Sequence, residues 1–210
     1  MTAPRAVTLL MTMLLIVGLA VPATAGSAPA ITFDEATGVS GTNNNQTVGW
    51  QFDVVSPVVV TGLGWFDQGG NGLGTGHTVG IWGPSGTLLT SVVVPAGTGA
   101  PLDGQYRIVD IPDIYLPIGT GYIIGGENFS TSDDRLVANA VQVVDPRIHY
   151  VDATYSEKGS GFVRPTSFSI ATTGFEGPMA TLVPEPTTAV LLATGLLAVG
   201  ARALRPRKRR

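Results

Sequence analysis

The 210-residue chain contains no cysteine. That excludes disulfides, thiolate metal sites and thiol nucleophiles, so the fold must draw its stability from buried apolar surface. Histidine is almost as scarce, with only His77 and His149, which leaves little material for a base beside a serine nucleophile. No G-x-S-x-G elbow occurs, and Gly159-Ser160-Gly161 has the wrong spacing for one. Basic residues are sparse in the middle of the chain. From Gly26 to Val183 there are five, Arg107, Arg135, Arg147, Lys158 and Arg164, against fourteen acids, a formal charge of −9 where the whole chain carries −3. This balance argues against a nucleic-acid partner, since phosphate binding is driven by Lys and Arg releasing counterions. Divalent cations, or solubility alone, suit such a field.

A sustained helical stripe is also missing from the middle. What is there instead is glycine, 28 residues of it with no collagen-like period, set between short runs rich in Val, Ile, Thr, Trp and Tyr. In TVGWQFDVV, Val48, Trp50, Phe52 and Val54 point one way while Thr47, Gln51 and Asp53 point the other, as in a strand with one wet face. Similar runs predict strands at residues 58–66, 78–82, 88–94, 106–111, 121–124, 136–144, 148–155, 162–170 and 175–182. Turns fall between them at Val55-Ser56-Pro57, Gly83-Pro84-Ser85-Gly86 and Leu116-Pro117-Ile118-Gly119. Strands recurring at this spacing pack as two antiparallel sheets face to face, so the expectation is an all-β, antiparallel β-sandwich of jelly-roll type over residues 26–183. A closed barrel remains the alternative. The Gly-rich residues 68–77 lack the Lys-Ser/Thr of a phosphate loop and any helix after them, so they read as a hairpin loop.

Candidate sites are few. An aromatic face can pack on the apolar face of a sugar ring, and Trp50, Trp65, Phe66, Trp82, Tyr106 and Tyr122 are the available rings, set against core packing for each. Trp65-Phe66-Asp67 singles itself out because neighbouring strand residues face opposite sides, so one of the two rings is expected to leave the core. Trp65, Asp67 and His77, around the glycine loop, are therefore the candidate ligand-binding residues. Glu127, Asn128, Asp133 and Asp134 offer the hard oxygens that calcium prefers, without EF-hand spacing, and a structural calcium there competes with a hydrated turn. No other cofactor is implied. A glycosidase-type carboxylate pair depends on geometry that spacing does not reveal.

The two ends differ from the middle. Residues 1–25 carry one positive charge, Arg5, an apolar run from Leu9 to Ala20, and then Pro22-Ala23-Thr24-Ala25. They read as a secretory signal peptide cut by signal peptidase after Ala25, too short in its apolar part for the roughly 20 residues of a membrane span. At the other end Val183-Pro184-Glu185-Pro186 precedes TTAVLLATGLLAVGARAL and then a tip in which Arg202, Arg205, Arg207, Lys208, Arg209 and Arg210 meet no acid. The eighteen-residue apolar stretch reaches about 27 Å as a helix, close to the roughly 30 Å of bilayer hydrocarbon. The basic tip sets its end in the cytoplasm and the acidic module outside. The two prolines keep the segment before it extended.

This order of motif, marginal helix and basic stop resembles the sorting signal of the PEP-CTERM family of exported Gram-negative proteins, over residues 184–210. The resemblance implies that an exosortase recognises Pro184, Glu185 and Pro186, with the basic residues as the stop. It implies an inner-membrane-anchored precursor that ends at the cell surface or outside the cell, in a species that makes an exopolysaccharide or biofilm matrix. An ordinary single-pass anchor is the alternative. More faintly, Val48-Gly49-Trp50-Gln51-Phe52, Gly62-Leu63-Gly64-Trp65-Phe66, Val79-Gly80-Ile81-Trp82, Ser85-Gly86-Thr87-Leu88-Leu89 and Gly119-Thr120-Gly121-Tyr122 are similar to secreted bacterial β-sandwich modules that carry no assigned catalytic residue. The expected function is a non-enzymatic structural or adhesive module that contacts exopolysaccharide or matrix glycan. A secreted glycan-active hydrolase or esterase is the competing class.

Overall fold

The structure is a computed structural model that describes residues 27–41, 45–128, 136–169 and 174–184. The expected signal peptide, Asp133, Asp134, Glu185, Pro186 and the basic residues Arg202, Arg205, Arg207, Lys208, Arg209 and Arg210 lie outside the described residues. Among the described residues no helix is long and apolar enough to cross a membrane.

The described chain is all-β. In order, the strands are β1 (Ala28–Pro29), β2 (Ile31–Asp34), β3 (Val39–Gly41), β4 (Gln46–Val54), β5 (Val58–Phe66), β6 (His77–Trp82), β7 (Leu88–Val94) and β8 (Leu102–Asp103). They continue with β9 (Tyr106–Leu116), β10 (Gly119–Asn128), β11 (Leu136–Ala138), β12 (Val141–Val144), β13 (Ile148–Tyr155), β14 (Ser167–Phe168), β15 (Phe175–Glu176) and β16 (Pro178–Pro184). Sheet I has five strands in the order β1-β16-β5-β9-β8, and sheet II has six in the order β14-β13-β4-β10-β6-β7. Two small sheets, β15-β11-β3 and β12-β2, complete the set. Every strand pairing within the four sheets is antiparallel.

The period-two alternation decides which side chains are buried together. Val48, Trp50, Phe52 and Val54 of β4 join Val58, Val60, Leu63 and Trp65 of β5, with Val79 and Ile81 of β6 and Ile124 of β10, in one core between the two large sheets. The arrangement is sandwich-like. Turn chemistry links the layers: Val55-Ser56-Pro57 carries the chain from sheet II to sheet I, and Pro117-Ile118 carries it back. The β6–β7 hairpin closes through Gly83 and Gly86, whose N–H groups donate to the Thr87 and Gly83 carbonyls, and Gly86 takes the positive φ of 85° that a side chain resists.

Several sequence expectations change. Residues 68–77 are not a hairpin loop, because β5 belongs to sheet I and β6 to sheet II, so the segment crosses between layers. The run at 136–144 is two strands rather than one: Asn139 adopts φ 61°, the left-handed conformation that asparagine tolerates, and breaks β11 from β12. The run at 162–170 keeps only the two residues of β14. Residues before it lie flat on the outer face of sheet II, where Phe162 packs on Trp82 at 5.1 Å between ring centroids and Thr47 bonds both Gly161 and Val163. Thr47, expected on a wet face, is consequently 0 % exposed.

A further change concerns the ring pair. Trp65 and Phe66 face opposite sides of sheet I, yet neither leaves the interior, at 0 % and 1 % exposure. Phe66 enters a second cluster with Phe33, Tyr106, Ile108, Val137, Ala140 and Met179 on the other face of that sheet. β2 and β11 supply Phe33 and Val137 to this layer, and β2 arises from residues in which no strand was expected. Sheet I is therefore dry on both sides where β5 ends.

The turn from β12 to β13 ties several elements together. The Arg147 guanidinium donates to both oxygens of Asp145, at 2.8 and 2.6 Å, and reaches the Leu182 carbonyl of β16. Its own carbonyl accepts from Val55 and Ser56 at the β4–β5 turn. Burial pushes the Asp145 carboxyl up, but the hydrogen bonds and charge of Arg147 outweigh it and hold the group below the ordinary carboxylate value. A lowered folded-state value means that the contribution is complete above the unfolded value, near about 3.9, and is lost as the pH falls through the lowered one. Melting temperatures measured from neutral to acid pH should therefore fall less steeply below about pH 4 in Asp145→Asn than in the wild type.

Candidate functional site

The sequence-predicted ligand residues come together, but inside the molecule. His77 begins β6 on the core side of sheet II, and its ring lies parallel to the Trp65 indole, 4.1 Å between centroids and 3° between planes. His77 is 0 % exposed, and its Nδ1–H donates to the Glu127 carbonyl oxygen at 2.8 Å. The opposite flanks of the indole are shut by Gly126 and Gly177, where a Cβ would run into the Trp65 ring carbons. No sugar reaches this ring. The stacked pair is a packing element, which corrects the expectation that Trp65 and His77 form a ligand platform.

Asp67 is structural as well. It follows Trp65 by two residues and so points to the same inner side, where the β5–β9 register sets Arg107 beside Trp65. Arg107 Nε donates to Asp67 Oδ2 at 2.7 Å, with the two residues 6 % and 2 % exposed. The rest of the guanidinium donates to the Ala100 and Gly70 carbonyls, and Asp67 also accepts from the Gly72 N–H. One ion pair thus pins the Gly-rich crossover and the segment before β8 to the end of sheet I. The sequence signal that marks it is an arginine inside an alternating strand run, YRIVDI, in a module with few bases.

The same end of the core carries a polar row. Gln46 continues the inner face of β4 beyond Val48 and pairs in register with Asn128 of β10; they are 5 % and 0 % exposed. The Gln46 side-chain oxygen and both Asn128 amide atoms find no partner among the described residues. Asn128 is therefore a core residue, while its companions in the calcium expectation, Asp133 and Asp134, lie outside the described residues. Among the described residues no cluster of three His, Asp or Glu side chains is placed to hold a metal ion. His149 is exposed on β13, opposite Asp53 of β4.

The accessible concavity lies elsewhere, on the outer face of sheet I. A groove of about 680 Å³ runs across β16, β5 and β9 to Val93 near the end of β7 and the segment that joins β7 to β8. Its floor is apolar around Ile108 and Ala100. Gly62 keeps it open, since a Cβ there would meet Thr181 Oγ1 at 2.6 Å and Ile108 Cγ2 at 2.9 Å. The Thr61 and Thr181 hydroxyls, 3.3 Å apart, and the carboxylates of Asp103 and Asp110 supply its polar groups. Among the described residues no aromatic ring and no basic side chain lines it. The volume is in the range of small-molecule clefts, roughly 300–1,000 Å³. Chemically the groove can accept hydrogen bonds from hydroxyl or ammonium groups over an apolar base. Residues 103 and 110 carried no motif, and only the fold of β8 against β9 brings them to one wall. Pro184, the first residue of the expected sorting motif, is the last residue of β16 and pairs with Val58. The chain matches no family model, no curated protein and no solved structure.

Proposed function

We propose that this chain is an exported cell-surface or matrix protein, sorted by an exosortase, whose β-sandwich of jelly-roll type is a structural and adhesive module. The observation that carries the reading is the three-part C-terminal pattern of Pro184-Glu185-Pro186, an eighteen-residue apolar stretch and an acid-free basic tip. It follows directly on the strand that ends the described domain. A sorting signal has to be readable without unfolding its cargo, and the two prolines favour an extended segment where the sandwich stops. Cargo that is folded, disulfide-free and acidic suits delivery outside the cell into a hydrated polymer.

Adhesion in this reading runs through the outer groove instead of through aromatic stacking. Carboxylates and threonine hydroxyls accept and exchange hydrogen bonds with polyhydroxylated polymer, and the apolar floor takes the less polar face of a sugar. The whole reading is tested by intact-mass measurement of the protein recovered from its own host. The expected mature chain begins at Gly26 and lacks the basic residues from Arg202 onward. A mature envelope protein that still carries Arg210 would overturn exosortase sorting and leave a tethered domain.

A further inference from the structure

From Thr78 to Leu102 the sequence contains no charged residue. This neutral stretch holds β6, its hairpin turn, β7 and the connection to β8, in a module whose other parts carry −9. β7 is the last strand of sheet II, and β6 is its one ladder partner among the described residues. The other edges of the two large sheets are broken up: β1, β8 and β14 are two residues each, and of the strands they leave partly uncovered β9 carries Asp110, Pro112 and Asp113, β13 has a register shift between Tyr150 and Asp152, and β16 has a proline at each end. β7 has seven residues, LLTSVVV, with no charge and no proline. Its single irregularity is the register shift at its start, opposite Ile81 and Trp82. Natural sheets protect edges of this length with lysine, proline or a covering segment, because the free N–H and C=O row is a template for another strand. Leu88, Leu89 and Val93 are 43 %, 39 % and 58 % exposed along it.

We propose that β7 is the surface through which two copies of this chain pair, antiparallel and about a two-fold axis at Ser91, joining two copies of sheet II into one continuous sheet. An edge strand is its own antiparallel complement under a two-fold axis, so a single surface serves both copies. Two bodies of the same strong negative charge meet with least repulsion at their neutral strip, and β7 runs along it. The pairing sets Leu89 against the partner's Val93, Thr90 against the partner's Val92, and Ser91 against itself. One strand edge buries less than the roughly 1,200 Å² of a standard stable interface. The dimer is accordingly weak, with a dissociation constant on the order of 10–100 μM, and it becomes populated where copies are crowded together. The pairing does not depend on the sorting reading.

The absence of cysteine makes the test clean. The full chain with Ser91→Cys, purified in mild detergent and gently oxidised, should form a dimer that reductant dissolves. Val55→Cys, 52 % exposed on the β4–β5 turn, should stay monomeric under the same treatment. Adding Val93→Lys, or separately Leu89→Lys, to the Ser91→Cys chain should lower the rate of cross-linking at least about tenfold, since two lysines then face the mating strand. Both sites are exposed, and an unchanged melting temperature shows that the fold survives. Equal cross-linking at positions 91 and 55, or cross-linking at 91 that neither lysine slows, would overturn the proposal, as would a Ser91→Cys chain that remains monomeric.

Discussion

Asp67→Ala is expected to lower the stability of the fold by about 3–5 kcal/mol, because it leaves the Arg107 guanidinium buried without a counter-charge. In a domain of this size that corresponds to a melting temperature lower by roughly 10 °C. The cause is the environment more than the attraction. Arg107 and Asp67 are each almost fully buried, and a charge stripped of both water and partner has no cheap alternative. The pair also holds two stretches of backbone, one through Gly70 and Gly72 and the other through Ala100. The double variant Asp67→Ala/Arg107→Met separates these contributions. It removes both charges, so it should be more stable than Asp67→Ala alone, although the two carbonyls that Arg107 served lose their donor. Urea titration of the four members of this cycle measures the coupling directly. A cost below about 1 kcal/mol for Asp67→Ala would mean that the pair is solvated in solution, as an exposed ion pair is.

Strand identity was legible where turn residues bracket a run. β5, β7 and β13 end where the alternating runs at 58–66, 88–94 and 148–155 end, because Gly, Pro and Ser punctuation coincides with the loss of period two. What could not be read is the layer beyond sheet I. Periodicity reports how one strand divides its two faces, and it assigns the second face to water unless something else is known to cover it. Phe66 shows the consequence: Phe33 from β2 and Val137 from β11 cover it, and those residues lie about 30 and 70 positions away, with no periodic signal between them. The order of strands in the two large sheets is likewise a matter of register between strands far apart in sequence.

The candidate site divides the same way. The sequence brought forward Trp65, Asp67 and His77 as neighbours, and they are neighbours, but proximity did not carry exposure with it. Residue chemistry pointed to a platform; burial made the same rings a keystone of packing. The groove was invisible for the opposite reason. Asp103 and Asp110 belong to different strands and flank a turn, so they read as two solvated acids. Their common wall depends on the β8–β9 hairpin register, Leu102 to Arg107 and Asp103 to Tyr106, and on the missing side chain at Gly62.

Trp65→Ala is the substitution that decides between the two roles of that ring. As a surface platform, the indole would contribute little to stability, within about 0.5 kcal/mol, and its loss would be felt only in binding. As the buried partner of His77, Gly126 and Gly177, its removal should cost about 3–5 kcal/mol, since the transfer energy of the ring is lost and a cavity remains that rigid glycine backbone cannot close. Trp65→Phe should recover part of this by filling the inner half of the space. The complementary change is Gly126→Ala, in which the new methyl meets the indole. Overpacking of that kind costs roughly 1–3 kcal/mol, and it should be relieved when Trp65→Phe is present in the same chain, because the two side chains compete for one volume. Equilibrium unfolding in urea of the two single variants and the double variant measures this. Additive costs would show that Gly126 and the indole are not in contact, and a near-neutral Trp65→Ala would return the ring to the surface.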